Sequence, residues 1–101
     1  MTHDETRDEL ARMDGWRKYA DGRWYKQGEW PKRDHPYPPT LDAANAAVKD
    51  AGWKWERYSS AWIAWRGAGV TLEVPDTGDP VHDLYALALA CRRAMEERNA
   101  K

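Results

Sequence analysis

Phenylalanine is missing altogether from these 101 residues, and cysteine occurs once. A single thiol, Cys91, excludes an intrachain disulfide. The chain also opens without the apolar stretch of a secretory leader, so the expected setting is a reducing cytoplasm. Long hydrophobic runs are lacking too. The longest, Leu84 to Cys91, covers about eight residues where a bilayer-spanning helix needs roughly 20, so no membrane is expected as a partner. Charge of one sign is not in excess: 16 Lys and Arg face 17 Asp and Glu for a net charge of -1. A protein made for nucleic-acid backbones normally carries a strong basic surplus, so nucleic acid is a disfavoured partner. His3, His35 and His82 share no metal-ligand spacing and Cys91 has no second thiol beside it, which argues for neither metal nor cofactor.

What is present in abundance is tryptophan and tyrosine, seven and five respectively. Each brings a large apolar body and a polar donor that must find water or a partner, which suits half-buried positions and binding surfaces. Four tryptophans fall between Trp53 and Val74, where apolar and polar residues alternate as in a three-stranded antiparallel meander. A three-residue loop around Ser59 and Ser60 would set Trp55 opposite Trp65, and a two-residue loop at Ala68-Gly69 would set Trp65 opposite Leu72. One face then gathers Trp53, Trp55, Ile63, Trp65, Val70, Leu72 and Val74. The other carries Lys54, Glu56, Tyr58, Trp62, Arg66, Thr71 and Glu73.

Around this meander the fold class expected is α+β in one domain, 1-101. Good helix formers with acidic residues in the first turn predict a helix over 4-13. Asp21-Gly22 marks a hairpin over 16-27 with Tyr19 opposite Trp24. Four prolines make 28-39 a stiff connector carrying Trp30, His35 and Tyr37. Thr40 as cap and Gly52 as stop bracket a helix over 40-51. Asp79 as cap with Pro80 at the first helical position starts a helix over 80-97, whose first half is apolar all round and whose last turns are expected to be solvated. Residues 40-98 thus form an α-β-β-β-α unit. The hairpin is expected to cover the sheet's outer face or to extend the sheet, with coverage preferred because an isolated hairpin needs support.

No constellation carries catalysis. Asp76-Thr77-Gly78 has the letters of the aspartic-protease loop, but it follows the last strand and opens a helix instead of feeding further strands. His35, beside Arg33 and Asp34, is the histidine with polar company, and a small hydrolase centred on Asp76 or His35 is the least favoured reading. Cys91 reads as a small buried hydrophobe. Candidate binding residues are Tyr58 and Trp62, as cross-strand neighbours with Lys54 and Arg66 around them, and Trp30, His35 and Tyr37 in the connector.

From Thr40 onward the order helix, three strands, helix resembles the double-stranded RNA-binding domain in outline. The stretch DTGDPVHDLY is acidic where that family carries glycines and lysines, so the topology and not the RNA binding is implied. A fuller resemblance, over Asp14 to Met95, is to small phage proteins called phage ABA sandwich domains. It rests on DGW at Asp14 to Trp16, the Trp- and Pro-rich segment, TLDAANAAVKDAG, the Trp-bearing meander and LALACRRAM at Leu87 to Met95. That resemblance implies helices on both faces of a small antiparallel sheet and a phage-encoded protein acting in the bacterial host's cytoplasm. It implies no catalytic residues. The function expected is therefore a non-enzymatic accessory protein, a monomer or homodimer, that binds a host protein or a small nucleotide ligand and blunts antiviral defence. A nucleic-acid-binding module is the alternative.

Overall fold

The computed structural model describes residues 2-67 and 71-99. Three helices and two antiparallel sheets make an α+β fold. The order is α1 (His3–Met13), β1 (Arg17–Lys18), β2 (Trp24–Tyr25), α2 (Leu41–Asp50), β3 (Lys54–Tyr58), β4 (Ala61–Trp65), β5 (Thr71–Pro75) and α3 (Pro80–Asn99). Each helix starts where a short oxygen-bearing side chain takes up orphan N–H groups. Thr2 Oγ1 accepts from Glu5 N–H, Thr40 Oγ1 from Ala43 N–H, and Asp79 Oδ1 from the N–H groups of Val81 and His82.

The helices form one layer on one face of the meander. α3 lies in the middle over β4 and β5, with α1 on one side and α2, which also reaches β3, on the other. This arrangement explains why the first half of α3 is apolar on every side: Leu84, Tyr85, Leu87, Ala88, Leu89 and Cys91 are all buried, facing two helices and a sheet. Ala44 and Ala47 of α2 are buried in the same core, their small size allowing a close approach to α3. The last turns of α3 are not simply solvated. Arg92, 14% exposed, donates from Nε to Asp14 at the end of α1 (2.8 Å) and from Nη1 to the Ala47 carbonyl of α2 (2.8 Å).

The sheet register differs from the one the alternation predicts. Tyr58 pairs with Ala61 across a two-residue loop at Ser59-Ser60, so Trp55 faces Ala64, Lys54 faces Trp65, Ala64 faces Leu72, and Trp65 faces Thr71. The predicted loop at Ala68-Gly69, with Val70, lies outside the described residues. A one-residue slip exchanges the two faces of a strand. Trp62 and Ala64 therefore point to the helices with Trp53, Trp55, Leu72 and Val74, while Ile63 and Trp65 point away. The reason lies in β4 itself, AWIAW, which is apolar at both parities, so hydrophobicity alone does not choose its inner side. Packing does: Ala64, fully buried, lets α3 approach, and the Trp62 indole finds a buried acceptor on α3.

The hairpin 16-27 neither covers nor extends the meander. β1 and β2 form a sheet of their own, in which Lys18 pairs with Trp24 and Tyr19 N–H bonds to the Arg23 carbonyl, so the loop is Ala20-Asp21-Gly22 and Tyr19 does not face Trp24. Gly22 takes φ +82, the left-handed residue that a three-residue hairpin loop needs. Trp24, Trp16 and Ala11 of α1 build a second small core, to which Tyr37 of the connector also packs. Among the described residues the sheet consequently has helices on one face, not on both as the sandwich resemblance implies, and its other face is open.

Candidate functional site

The open face follows from the pairing. Residues directly opposite one another share a side, giving three rows: Lys54, Trp65, Thr71; Glu56, Ile63, Glu73; and Tyr58, Ala61, Pro75. An apolar ridge of Ile63 and Trp65 runs along central β4 from Ala61, which is itself buried, with a glutamate on each side of Ile63. Tyr58 stands 66% exposed at one end, and Ile63 and Trp65 are half-buried. The β5 edge of this face is also unpaired among the described residues. Because Asp76 N–H bonds the Ser60 carbonyl, alternation gives Leu72 and Val74 the bonds to β4 and turns the backbone of Thr71, Glu73 and Pro75 outward. Pro75 has no N–H to offer, which blunts that edge against indiscriminate pairing.

The inner side of β4 is held by a buried carboxylate. Asp83, in the first turn of α3 and 1% exposed, accepts from Trp62 Nε1 (3.0 Å), from Thr77 N–H (3.0 Å) and from Thr77 Oγ1 (2.6 Å). No cation lies within 4.0 Å of it among the described residues, so these donors and the helix N-terminal dipole neutralise it. The neighbouring loop is committed to the same structure. Asp76 Oδ1 accepts from Gly78 N–H (2.9 Å) and Oδ2 pairs with Arg57, and the Gly78 N–H first among these holds the carboxyl below its usual pKa. The three letters resembling a protease loop thus shape the entry to α3.

Comparison of the chain with known protein families, curated proteins and solved structures gives no match. The likeness to phage ABA sandwich domains therefore rests on the sequence motifs alone.

The seven candidate residues do not converge. Tyr58 and Lys54 lie on the open face as expected. Trp62 does not; it is turned inward to Asp83. Arg66 likewise leaves the open face, its guanidinium lying against the Met95 sulfur at the far end of α3. Trp30 stands alone in the connector, 88% exposed. His35 and Tyr37 are half-buried and join elements together. His35 Nδ1 accepts from Tyr37 N–H (2.9 Å), which leaves the proton on Nε2 to be donated to Asp8 of α1 (2.8 Å). Burial holds this imidazole below its usual pKa against the opposing pull of Asp8. With both nitrogens bonded to protein, the ring fastens the connector to α1 and has no free position for proton transfer. Tyr37 packs against both cores, its ring edge-on to Tyr85 at 5.8 Å.

Two other titratable groups are structural. Cys91 is fully buried and its thiol pKa is pushed up to about 12 by that burial, so it is not a thiolate at neutral pH. His82 is half-buried and stacked on His3 with ring centroids 4.0 Å apart; burial first, and His3 second, lower its pKa. Sequence reasoning missed Ile63 and Trp65 as surface residues. The signal that finds them is the two-serine loop, because a hairpin closed by two residues fixes Tyr58 opposite Ala61 and every pair after it.

Proposed function

We propose that this chain is a non-enzymatic binding protein that docks a partner protein on the open face of its meander. The observation that carries the reading is the apolar ridge of Ile63 and Trp65 flanked by Glu56 and Glu73, on which no other element packs among the described residues. Five-residue strands at about 3.3 Å per residue make a face about 17 Å long, enough for about three turns of one helix. The two glutamates select a partner segment with basic residues beside its apolar stripe, and Tyr58 and Trp65 are the aromatic anchors that concentrate binding energy. The motifs shared with phage ABA sandwich domains supply the setting: an accessory protein that occupies a surface of a host protein, such as a component of antiviral defence, and blocks it.

This face does not suit the alternative of a nucleic-acid module, since Trp62 and Arg66 are turned from it and Glu56 and Glu73 would repel phosphates. Sequestration of a nucleotide signal has less support than protein docking. The groove of about 540 Å³ between α1, α3 and β5 has walls of Leu72, Val74, Leu89 and Ala90, and its one arginine, Arg93, shares it with Glu97. Immobilised protein exposed to bacterial lysate tests the docking. Trp65→Ala is expected to weaken retention of a partner about 30-fold, as removing an aromatic hot spot does. Glu56→Lys with Glu73→Lys should abolish it. A partner held equally by the wild type and by both variants would refute docking on this face.

A further inference from the structure

A second surface lies on the hairpin and the start of the connector, around the second small core. Between Arg17 and Arg33 stand six cations, Arg17, Lys18, Arg23, Lys26, Lys32 and Arg33, against two carboxylates, Asp21 and Glu29. This segment carries four net positive charges in a chain whose total is -1, so the remainder is an acidic body with five net negative charges. The near-neutral total conceals a strong separation of sign. Among the described residues none of the six forms an ion pair within 4.0 Å, whereas Arg7, Arg12, Arg57 and Arg92 elsewhere each do. Asp21, the carboxylate at the loop tip, is already occupied by the Tyr25 hydroxyl (2.8 Å) and the Arg23 N–H (3.0 Å).

Aromatic rings are interleaved with these charges. Residues 17, 19, 23 and 25 share the hairpin side away from Trp24, so Arg17 and Arg23 accompany Tyr19 and Tyr25, whose rings meet edge-on at 4.8 Å. Tyr19 is 59% exposed. At the opposite end of the hairpin Trp30 is 88% exposed, an indole held out to solvent beside Pro31, Lys32 and Arg33. Lys26 and Lys32 each hold Nζ 5.7 Å from the ring of Trp16, which keeps both cations at the surface of this module.

We infer that the hairpin with Trp30 binds single-stranded nucleic acid. Arg17 Nη1 is already bonded to the Arg12 and Trp16 carbonyls (3.0 and 2.8 Å), so Lys18, Arg23, Lys26, Lys32 and Arg33 are the cations that track the phosphates, and Tyr19 and Trp30 offer faces to unstacked bases; a duplex hides its base faces, so the exposed rings favour a single strand. The surface is separate from the open sheet face and acts whether or not a protein docks there.

The test is fluorescence anisotropy of a labelled oligothymidylate of about 15 nucleotides, titrated with the full chain between about 50 and 200 mM salt. Contact with about four phosphates gives a log-log salt slope of about -3. Lys18→Gln with Arg23→Gln, exposed side chains that form no ion pair among the described residues, is expected to weaken binding at least ~10-fold at the lower salt and to make the slope shallower by about 1.4. Trp30→Ala should weaken it about 5- to 100-fold with the slope unchanged, as loss of stacking does. Lys49→Gln with Lys54→Gln, away from the hairpin, should leave it as it is. Circular dichroism melts establish that every variant is folded. No binding by the folded wild type at about 50 mM salt would overturn the inference. So would tighter binding to a duplex of equal length or to phosphatidylserine vesicles, or an equal loss in the Lys49 and Lys54 variant.

Discussion

Asp83→Ala is expected to lower the unfolding free energy by about 3–5 kcal/mol, and Asp83→Asn by only about 1–2 kcal/mol. Alanine leaves the Trp62 indole N–H, the Thr77 amide and the Thr77 hydroxyl facing a buried space with nothing to accept them. Asparagine keeps the shape. Its carbonyl oxygen accepts from Trp62 and Thr77 N–H, and the Thr77 hydroxyl rotates to accept from its amide, so the loss is confined to the charge and its attraction to the helix N-terminus. A domain of this size shifts its midpoint about 4–8 °C per kcal/mol, so thermal melts separate the two variants clearly. A cycle combining Asp83→Ala with Trp62→Phe should be non-additive by about 1–2 kcal/mol, because both changes remove the same bond. Equal effects of alanine and asparagine would mean that the carboxylate's donors are not what matters.

Arg92 carries the second large effect. Its guanidinium joins Asp14 at the end of α1, the Ala47 carbonyl of α2 and, at 3.5 Å, the Tyr37 hydroxyl of the connector. Arg92→Ala is expected to cost about 3 kcal/mol, since it strands the Asp14 carboxylate, 23% exposed, and a helix carbonyl together. Arg92→Lys should recover less than half of that, because an ammonium is a point charge and does not span two elements as a planar fork does. Denaturant unfolding measures both, and full recovery by lysine would show that charge alone suffices. The contact also explains how a helix with polar last turns still organises its neighbours.

Capping chemistry was readable because it is local. Thr40 and the pair Asp79-Pro80 placed α2 and α3 within a residue or two, and Thr2 with Glu5 three residues on would have placed the start of α1 equally well. The register was not readable from apolar alternation, since AWIAW offers two apolar sides and its inner one is chosen by an aspartate 21 residues further along. Arg92 reads as solvated for the same reason: its partners Asp14 and Ala47 lie 78 and 45 positions away. The hairpin's place was hidden because Trp24 buries against α1 and Trp16, a tertiary choice to which the Asp21-Gly22 signal is blind. Of the candidate site, exposed Tyr58, Lys54 and Trp30 were legible; that the sheet face stays open was not, because cover is a property of the whole packing.

All of this depends on which side of β4 faces the helices, and one pair of thermal melts addresses it. Ile63→Lys puts a charge on the open ridge, and Ala64→Lys puts one where the chain is fully buried. The structure predicts a shift of no more than about 5 °C for Ile63→Lys and loss of cooperative folding for Ala64→Lys. The reverse, a folded Ala64→Lys and an unfolded Ile63→Lys, would contradict the register and remove the docking face with it.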